Sequence, residues 1–460
     1  MNEKFDVIVI GMGPGGEEVA EQLAEAGLAV AGVEMNLVGG ECPYWGCIPS
    51  KTIIRAADSL AEGRRIPLLA GSATVTPDWA PVARRLREIT DSWDDRVAVE
   101  RFERKGGRFF RGSGRLAGPG KVEVGDTVLE ATRAVVIGTG TSPAIPPIPG
   151  LDRVEYWTNR EAIEAEQLPG SLLVMGGGAI GAELAQAFAR FGVRVTVVEA
   201  ADRILALEEP EATEVLDGVF EREGVEVLTG ARVESAARTD DGGTRLTLAG
   251  GKTLEAERLL VATGRRPNLS DLGLETIGLD PGQRFLPVDD HLRVAPGVWG
   301  IGDVTGKGAF THVSVYQARI AIADILGNPG PAADYTALPR VTFTDPEIGA
   351  VGLTEAEARK KGLRVRVGSI PLSYSTRGYI HGPGNDGFIK LVEDAERGVL
   401  VGGSTAGPSG GEMVSMLCVA VATEVPTERL RHMIWAYPTF HRGIEGALQA
   451  LAEPAMEPVS

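Results

Sequence analysis

The 460-residue chain has few cysteines, few histidines and little positive charge. Three cysteines, two of them in one short loop, exclude a disulfide-scaffolded secreted domain. In a cytoplasmic setting such a close pair is more often redox-active or metal-binding than structural. His291, His312, His381 and His432 show no metal-ligand spacing, so no metal is expected. The formal net charge of −17 leaves no basic patch and argues against nucleic acid as a partner. No apolar run reaches membrane-spanning length, so no membrane partner is expected. Met1-Asn2-Glu3-Lys4 runs straight into a strand pattern, so the reading expects no signal peptide and a cytoplasmic location.

Glycine, by contrast, is plentiful at 61 residues, in a chain that is 43% hydrophobic. That composition fits a glycine-rich α/β enzyme of two to four domains. The chain is organised around Gly39-Gly40-Glu41-Cys42-Pro43-Tyr44-Trp45-Gly46-Cys47-Ile48-Pro49-Ser50-Lys51. Thiols at i and i+5 cannot be bridged on a straight helix, so the turn must be bent open, which suits Pro43 and Gly46. Pro49 reads as a first-turn residue and places Cys47 near a helix N-terminus, where the macrodipole and Lys51 both favour a thiolate.

Phe5–Ile10 is an apolar run of the kind that forms a buried parallel strand. It leads into Gly11-Met12-Gly13-Pro14-Gly15-Gly16, a helix over Glu17 to Ala26, and a strand ending on Glu34. The same unit recurs as Leu172–Met175, Gly176-Gly177-Gly178-Ala179-Ile180-Gly181, a helix over Ala182–Phe191, and Arg194–Val198 ending on Glu199. Third glycine to acid is 18 residues in both units. Each is the dinucleotide fingerprint in context, with backbone N–H groups for a pyrophosphate and a carboxylate for a ribose hydroxyl. Two of them imply two dinucleotides and electron transfer between cofactors. Thr52 to about Arg111 reads as helical and charged, with Trp79 and Trp93 as packing residues. Ser142–Gly150 and Asn328–Pro339 read as linkers, and Arg340–Gly352 as a strand. Val298–Asp303 is a strand ending on an aspartate that can bind a cofactor hydroxyl. Cys418 lies in an apolar helix and reads as core.

With these motifs stand Ala262-Thr263-Gly264-Arg265-Arg266-Pro267-Asn268, Ile301-Gly302-Asp303-Val304 and Phe343-Thr344-Asp345-Pro346-Glu347-Ile348-Gly349. Together they resemble the pyridine nucleotide-disulfide oxidoreductases over essentially the whole chain, with lipoamide dehydrogenases nearest. The resemblance implies two Rossmann-like dinucleotide-binding domains and a C-terminal α+β dimerisation domain. Its divisions fall at 1–147 with 267–336 for FAD, 148–266 for NAD(P), and 337–460 for the interface of a homodimer. It implies FAD on Gly11, Gly13, Gly16, Glu34, Gly40, Lys51, Gly114, Thr139, Gly140 and Asp303, with backbone of Ala309, Phe310 and His312 near the flavin ring. Gly176, Gly178, Gly181, Glu199, Val233 and Gly264 take the nicotinamide nucleotide, with NADH expected over NADPH because Glu199 repels a 2′-phosphate. Arg203 nearby is a competing phosphate ligand. Cys47 is then the thiol facing the flavin, Cys42 the exchanging thiol, and Lys51 pairs with Glu183. Electrons pass from nicotinamide through FAD to Cys42–Cys47 and on to a small-molecule acceptor.

One departure concerns that acceptor. Where relatives carry His-Pro and, five residues after the histidine, a glutamate, this chain aligns Tyr437-Pro438 and Arg442. Tyr437 is either a proton donor to substrate or an interface aromatic, and His441 either a substitute base or structural. Mercuric reductases add a C-terminal cysteine pair, which Ala455–Ser460 lacks. The expectation is a disulfide-type or other electrophilic acceptor in place of lipoamide. The alternatives are a quinone reductase with direct flavin transfer and a flavin redox sensor.

Overall fold

The structure is a computed structural model and describes residues 2–451. Ala455–Ser460, where a second cysteine pair would stand, lies outside the described residues. The chain divides into two compact units. One comprises residues 1–50, 83–144 and 264–335; the other comprises 51–82, 145–263 and 336–460. The helix Cys47–Leu69 runs across the boundary between them.

The first unit is built on a twisted sheet. Its strand order is Arg293–Ala295, Val298–Gly300, Thr127–Ile137, Asn2–Ile10, Val30–Glu34 and Arg108–Arg111. All neighbours from Val298–Gly300 onward pair in parallel, Ile10 lying beside both Val33 and Ile137. Val7 and Val9 pack on one face with Val19 and Leu23 of the helix Pro14–Glu25, while Ile8 and Ile10 pack on the other with Leu129 and Ile137. Burial on both faces is why the strand reads as an unbroken apolar run. Arg108–Arg111, expected within a helical segment, is instead the edge strand, in register with Ala31–Glu34. Its two exposed arginines around Phe109 and Phe110 suit an edge, with Phe110 edge-on to Phe5 at 5.8 Å. An antiparallel ribbon, Thr141–Pro143 with Arg265–Pro267, marks where the chain leaves this unit and returns.

Among the described residues the second unit contains three sheets. Tyr156–Trp157, Arg258–Val261, Ser171–Met175, Arg194–Val198 and Glu226–Leu228 form a parallel sheet with the helix Ala179–Arg190. Val233–Arg238, Thr244–Leu248 and Thr253–Ala256 form an antiparallel one. From Pro339 to Gly407 a five-stranded antiparallel sheet packs its core on the helices Gly410–Ala422 and Gly443–Ala450. Arg340–Gly352 is two strands, Pro339–Thr342 and Glu347–Gly352, joined by a turn through Asp345-Pro346. Trp79 is buried edge-on against Phe188 and Phe191, and its indole donates to the Ala165 carbonyl at 2.8 Å. Trp93, in the first unit, is half-buried and donates to the Tyr44 carbonyl at 3.2 Å.

Candidate active site

The two glycine turns fold alike. At Gly11 (φ +92°) a Cβ would lie 2.4 Å from the Gly138 carbonyl oxygen, and at Gly176 (φ +111°) 2.4 Å from that of Ala262. Gly16 and Gly181 approach the carbonyls of Gly11 and Gly176 so closely that a Cβ would sit 2.0 Å away. Only glycine fits such a turn, which delivers the chain directly into a helix. The helix N-caps, Gly13 and Gly178, carry no capping side chain, and a Cβ on either would meet nothing within 4 Å. An uncapped N-terminus with open space above it fits a pyrophosphate. Glu34 and Glu199 sit identically: one oxygen accepts from Met12 N (2.8 Å) or Gly177 N (2.6 Å), the other from Asn36 N or Ala201 N (2.7 Å each).

In the first unit the glycine turn is flanked by the cysteine loop. Glu41–Tyr44 is one short helix, and a second helix starts at Cys47 itself, with Pro49 in its first turn. Between them Gly46 crosses close enough that a Cβ would stand 3.0 Å from the Glu41 carbonyl and 3.3 Å from the Cys42 Cα, which accounts for a glycine there. Cys42 and Cys47 stand as a dithiol, with Cys47 exposed and Cys42 partly buried. Hydrogen bonding to Cys47, reinforced by burial, holds the Cys42 thiol far above the ordinary thiol range. The Thr311 hydroxyl, 3.4 Å from the Cys47 Sγ, pulls the other way on Cys42. Thr311 begins the helix Thr311–Ile325, between Phe310 and His312, whose rings stack at 5.1 Å. The bulky loop residues Tyr44 and Trp45 are buried against each other at 5.8 Å.

Thr139 and Gly140 are held by Asn268, which donates to the Thr139 carbonyl at 3.0 Å and accepts from the Thr139 hydroxyl on its own carbonyl at 2.8 Å. Asp303 accepts from the Thr141 hydroxyl at 2.6 Å, and burial raises its carboxyl above the ordinary range. Gln317, fully buried, accepts from Gly302 N at 2.6 Å and donates to Thr305 and Tyr335, fixing the turn that carries Asp303. Gly40 stands against the first glycine turn, since a Cβ there would be 3.0 Å from the Gly13 Cα; Gly114 starts a strand packed on Ile10 and Val33. Ala309 precedes the Phe310 N-cap.

In the second unit the Lys51 ammonium donates to Glu183 Oε2 at 2.8 Å, and the other Glu183 oxygen accepts from Phe343 N at 2.8 Å. Lys51 also lies over the Phe343 ring, 4.7 Å from its centre. The same helix face carries Gln186, clasping both the N–H and the carbonyl of Asp345 at 2.8 Å, and Arg190, paired with Asp58, Glu223 and Asp345. Arg203 is tied up by the carbonyls of Leu205, Ala206 and Glu208 and the Thr213 hydroxyl, at 2.8–3.3 Å. Val233 opens the three-stranded sheet, and Gly264 begins the chain's return to the first unit. Tyr437 is 65% exposed, with the Arg442 guanidinium 5.0 Å over its ring and that arginine paired to Glu445 at 3.0 Å. His441 Nε2 meets the Thr439 hydroxyl at 3.5 Å.

The sequence placed Ala309–His312 as backbone near the flavin without the Thr311 hydroxyl at Cys47, and gave Gln317 and Phe343 no site role. Thr311 lies between two singled-out positions, but its neighbour Cys47 is distant in sequence. The Phe343 contribution is a backbone N–H, which leaves no side-chain signature. Among the described residues, no group of three or more His, Cys, Asp and Glu could hold a metal ion, and no helix is long and apolar enough to cross a membrane.

The pyridine nucleotide-disulphide oxidoreductase family pattern matches residues 5–318, and its dimerisation domain matches residues 338–448. A dihydrolipoyl dehydrogenase from Chlorobaculum tepidum is 34% identical, over 97% of each chain. A mercuric reductase from Bacillus cereus is 31% identical, over 97% of this chain and 71% of its own. Among solved structures, LpdA from Mycobacterium tuberculosis superposes with a TM-score of 0.85 at 29% identity, covering 98% and 99% of the two chains. The HOCl-induced flavoprotein disulfide reductase RclA from Escherichia coli gives 0.85 at 26%, covering 97% and 99%. The dimerisation domain supports a homodimer. With both dinucleotide turns built and a cysteine pair beside the first, the chain belongs to the pyridine nucleotide-disulphide oxidoreductases, as a flavin-dependent, NAD(P)-binding enzyme of that family.

Proposed function

We propose that this enzyme takes reducing equivalents from NADH and delivers them through Cys42 and Cys47 to a disulfide-type or other electrophilic acceptor other than lipoamide. Bound FAD would supply the hydride acceptance and two-electron transfer that the side chains cannot perform. Gly11, Gly13, Gly16, Glu34, Thr139, Gly140 and Asp303 would hold it, in the domain formed by 1–147 and 267–336. Gly176, Gly178, Gly181 and Glu199 would hold the nicotinamide nucleotide. Cys42, kept protonated by its bond to Cys47 and by burial, is the thiol that gives up a proton late; Cys47, at a helix N-terminus beside Thr311, is the one suited to carry charge. Lys51, fixed by Glu183, presents a positive charge held in one rotamer.

The observation that carries the acceptor reading is the surroundings of Tyr437. A cation over the ring favours a phenol that donates a hydrogen bond to substrate. His441 Nε2 faces the Thr439 hydroxyl. The relatives' names already span dihydrolipoyl and mercuric substrates, so the family scaffold serves more than one acceptor. Stopped-flow measurement of the two half-reactions tests this. Tyr437→Phe and His441→Ala should slow reoxidation by the acceptor about tenfold and leave reduction by NADH unchanged. Rapid dihydrolipoamide oxidation by the native protein would overturn the reading.

The NADH preference rests on Glu199, which a 2′-phosphate would approach at a cost of a few kcal/mol, and on Arg203, whose donors are already committed. kcat/KM should be about tenfold or more higher with NADH, and equality with NADPH would refute it.

A further inference from the structure

Glu41 is the first residue of the short helix that carries Cys42. Its carboxylate lies 3.3 Å from the Arg265 guanidinium, and the two side chains are only 26% and 18% exposed. Arg265 is not a floating surface charge. Its Nε and Nη2 donate at 2.7 Å to the hydroxyl and the carbonyl of Thr141 across the antiparallel ribbon, and that hydroxyl donates to Asp303. The guanidinium therefore stays in place whether or not Glu41 is charged. A partly exposed pair of this kind contributes little to stability, so its effect is to be sought in the chemistry next to it.

We propose that Glu41 and Arg265 form an electrostatic latch that sets the dithiol–disulfide equilibrium of the neighbouring Cys42–Cys47 pair, acting as positioning residues through their charges. The inference rests on the assignment of those two cysteines as the redox pair. Reduction breaks the sulfur–sulfur bond, takes up two electrons and one proton, and leaves Cys42 as thiol and Cys47 as thiolate. The region thus gains one negative charge. A carboxylate one residue from Cys42 opposes that gain, and a guanidinium favours it. Paired, they nearly cancel. Removing either one unmasks the other, so the two substitutions act with opposite signs, which mere loosening of the loop would not produce.

The test equilibrates the purified holoprotein in dithiothreitol buffers of graded oxidation. The reagent supplies both electrons by closing to its cyclic disulfide; one of its protons goes to Cys42 and the other to solvent. Acid quenching, alkylation and mass spectrometry then count the thiols at Cys42 and Cys47. Glu41→Gln should move the equilibrium toward dithiol about three- to tenfold, tenfold being about 30 mV. Glu41→Lys should move it further the same way, Arg265→Met the opposite way, and the double variant Glu41→Gln/Arg265→Met should return within about twofold of the native protein. If Arg265→Met does not fold, the graded Glu41 series decides. Glu41 variants that stay within twofold, or that shift toward disulfide, overturn the latch. A native protein whose Cys42 and Cys47 never cycle overturns the redox-pair assignment instead, so the two failures are distinct.

Discussion

The two glycine turns are near copies, but the helices that follow them have different occupants at matching positions. Counted from the N-cap, Glu18 and Glu183 occupy the same place, as do Glu17 and Ala182. Glu18 is 30% exposed, accepts from Gln22 at 2.6 Å and stands 3.9 Å from Arg319. Glu183 is 6% exposed and holds Lys51 and the Phe343 N–H. Glu17 is packed with Arg101, and burial pushes its carboxyl up to about 7, whereas Ala182 brings no charge at all. The turn geometry that binds a dinucleotide is therefore separable from the helix face behind it, and that face is where the two units differ.

Gly16→Ala and Gly181→Ala should do equal damage to the turn, about 3 kcal/mol or more each, because the methyl meets a backbone oxygen at 2.0 Å. Their consequences should separate: the first yields protein without flavin absorbance, the second a yellow protein that no longer binds NADH by titration. A common loss of both ligands would break the comparison. Glu183→Gln should come next, slowing reduction by NADH about tenfold or more in stopped flow, since Lys51 then loses its fixed charge partner. Glu17→Gln should act through pH. The folded carboxyl keeps its proton to about 7 and the unfolded one releases it near 4.5, so this group's contribution to stability is present below that window and lost as pH rises through it. The glutamine variant should match the native protein near pH 4 and exceed it by about 2 kcal/mol at pH 8, read from thermal unfolding across pH. Smallest of all, Glu18→Gln should stay within about 0.5 kcal/mol and leave turnover unchanged.

Both turns were legible in the sequence because everything that defines them lies within one strand–turn–helix–strand stretch of constant spacing. The cysteine loop was legible for the same reason. The edge strand Arg108–Arg111 was not, since two charged residues around two phenylalanines also suit a helix and only pairing with Ala31–Glu34 decides. Thr311 beside Cys47, and Arg265 against Glu41, come from segments far apart in the chain, and no local period announces them. Lys390 makes the same point in the interior. A lysine in a strand reads as solvent-facing, but it is 5% exposed and ringed by Glu209, Glu211 and Glu355 at 2.8–3.0 Å.

The ribbon of Thr141–Pro143 and Arg265–Pro267 has a consequence for how this chain tolerates change in length. At its end Ala144 N donates to the Gly264 carbonyl at 2.9 Å, so residues 145–263 begin and end at one hydrogen bond. To the first unit that whole segment is a closed loop with stapled ends. Closure entropy grows only with the logarithm of loop length, about 0.6 kcal/mol per doubling. Changing the length of the segment thus costs the ribbon little closure entropy, and insertions between Ala144 and Gly264 have to spare the contacts that Glu183, Arg190 and Glu209 make with Lys51, Asp58 and Lys390.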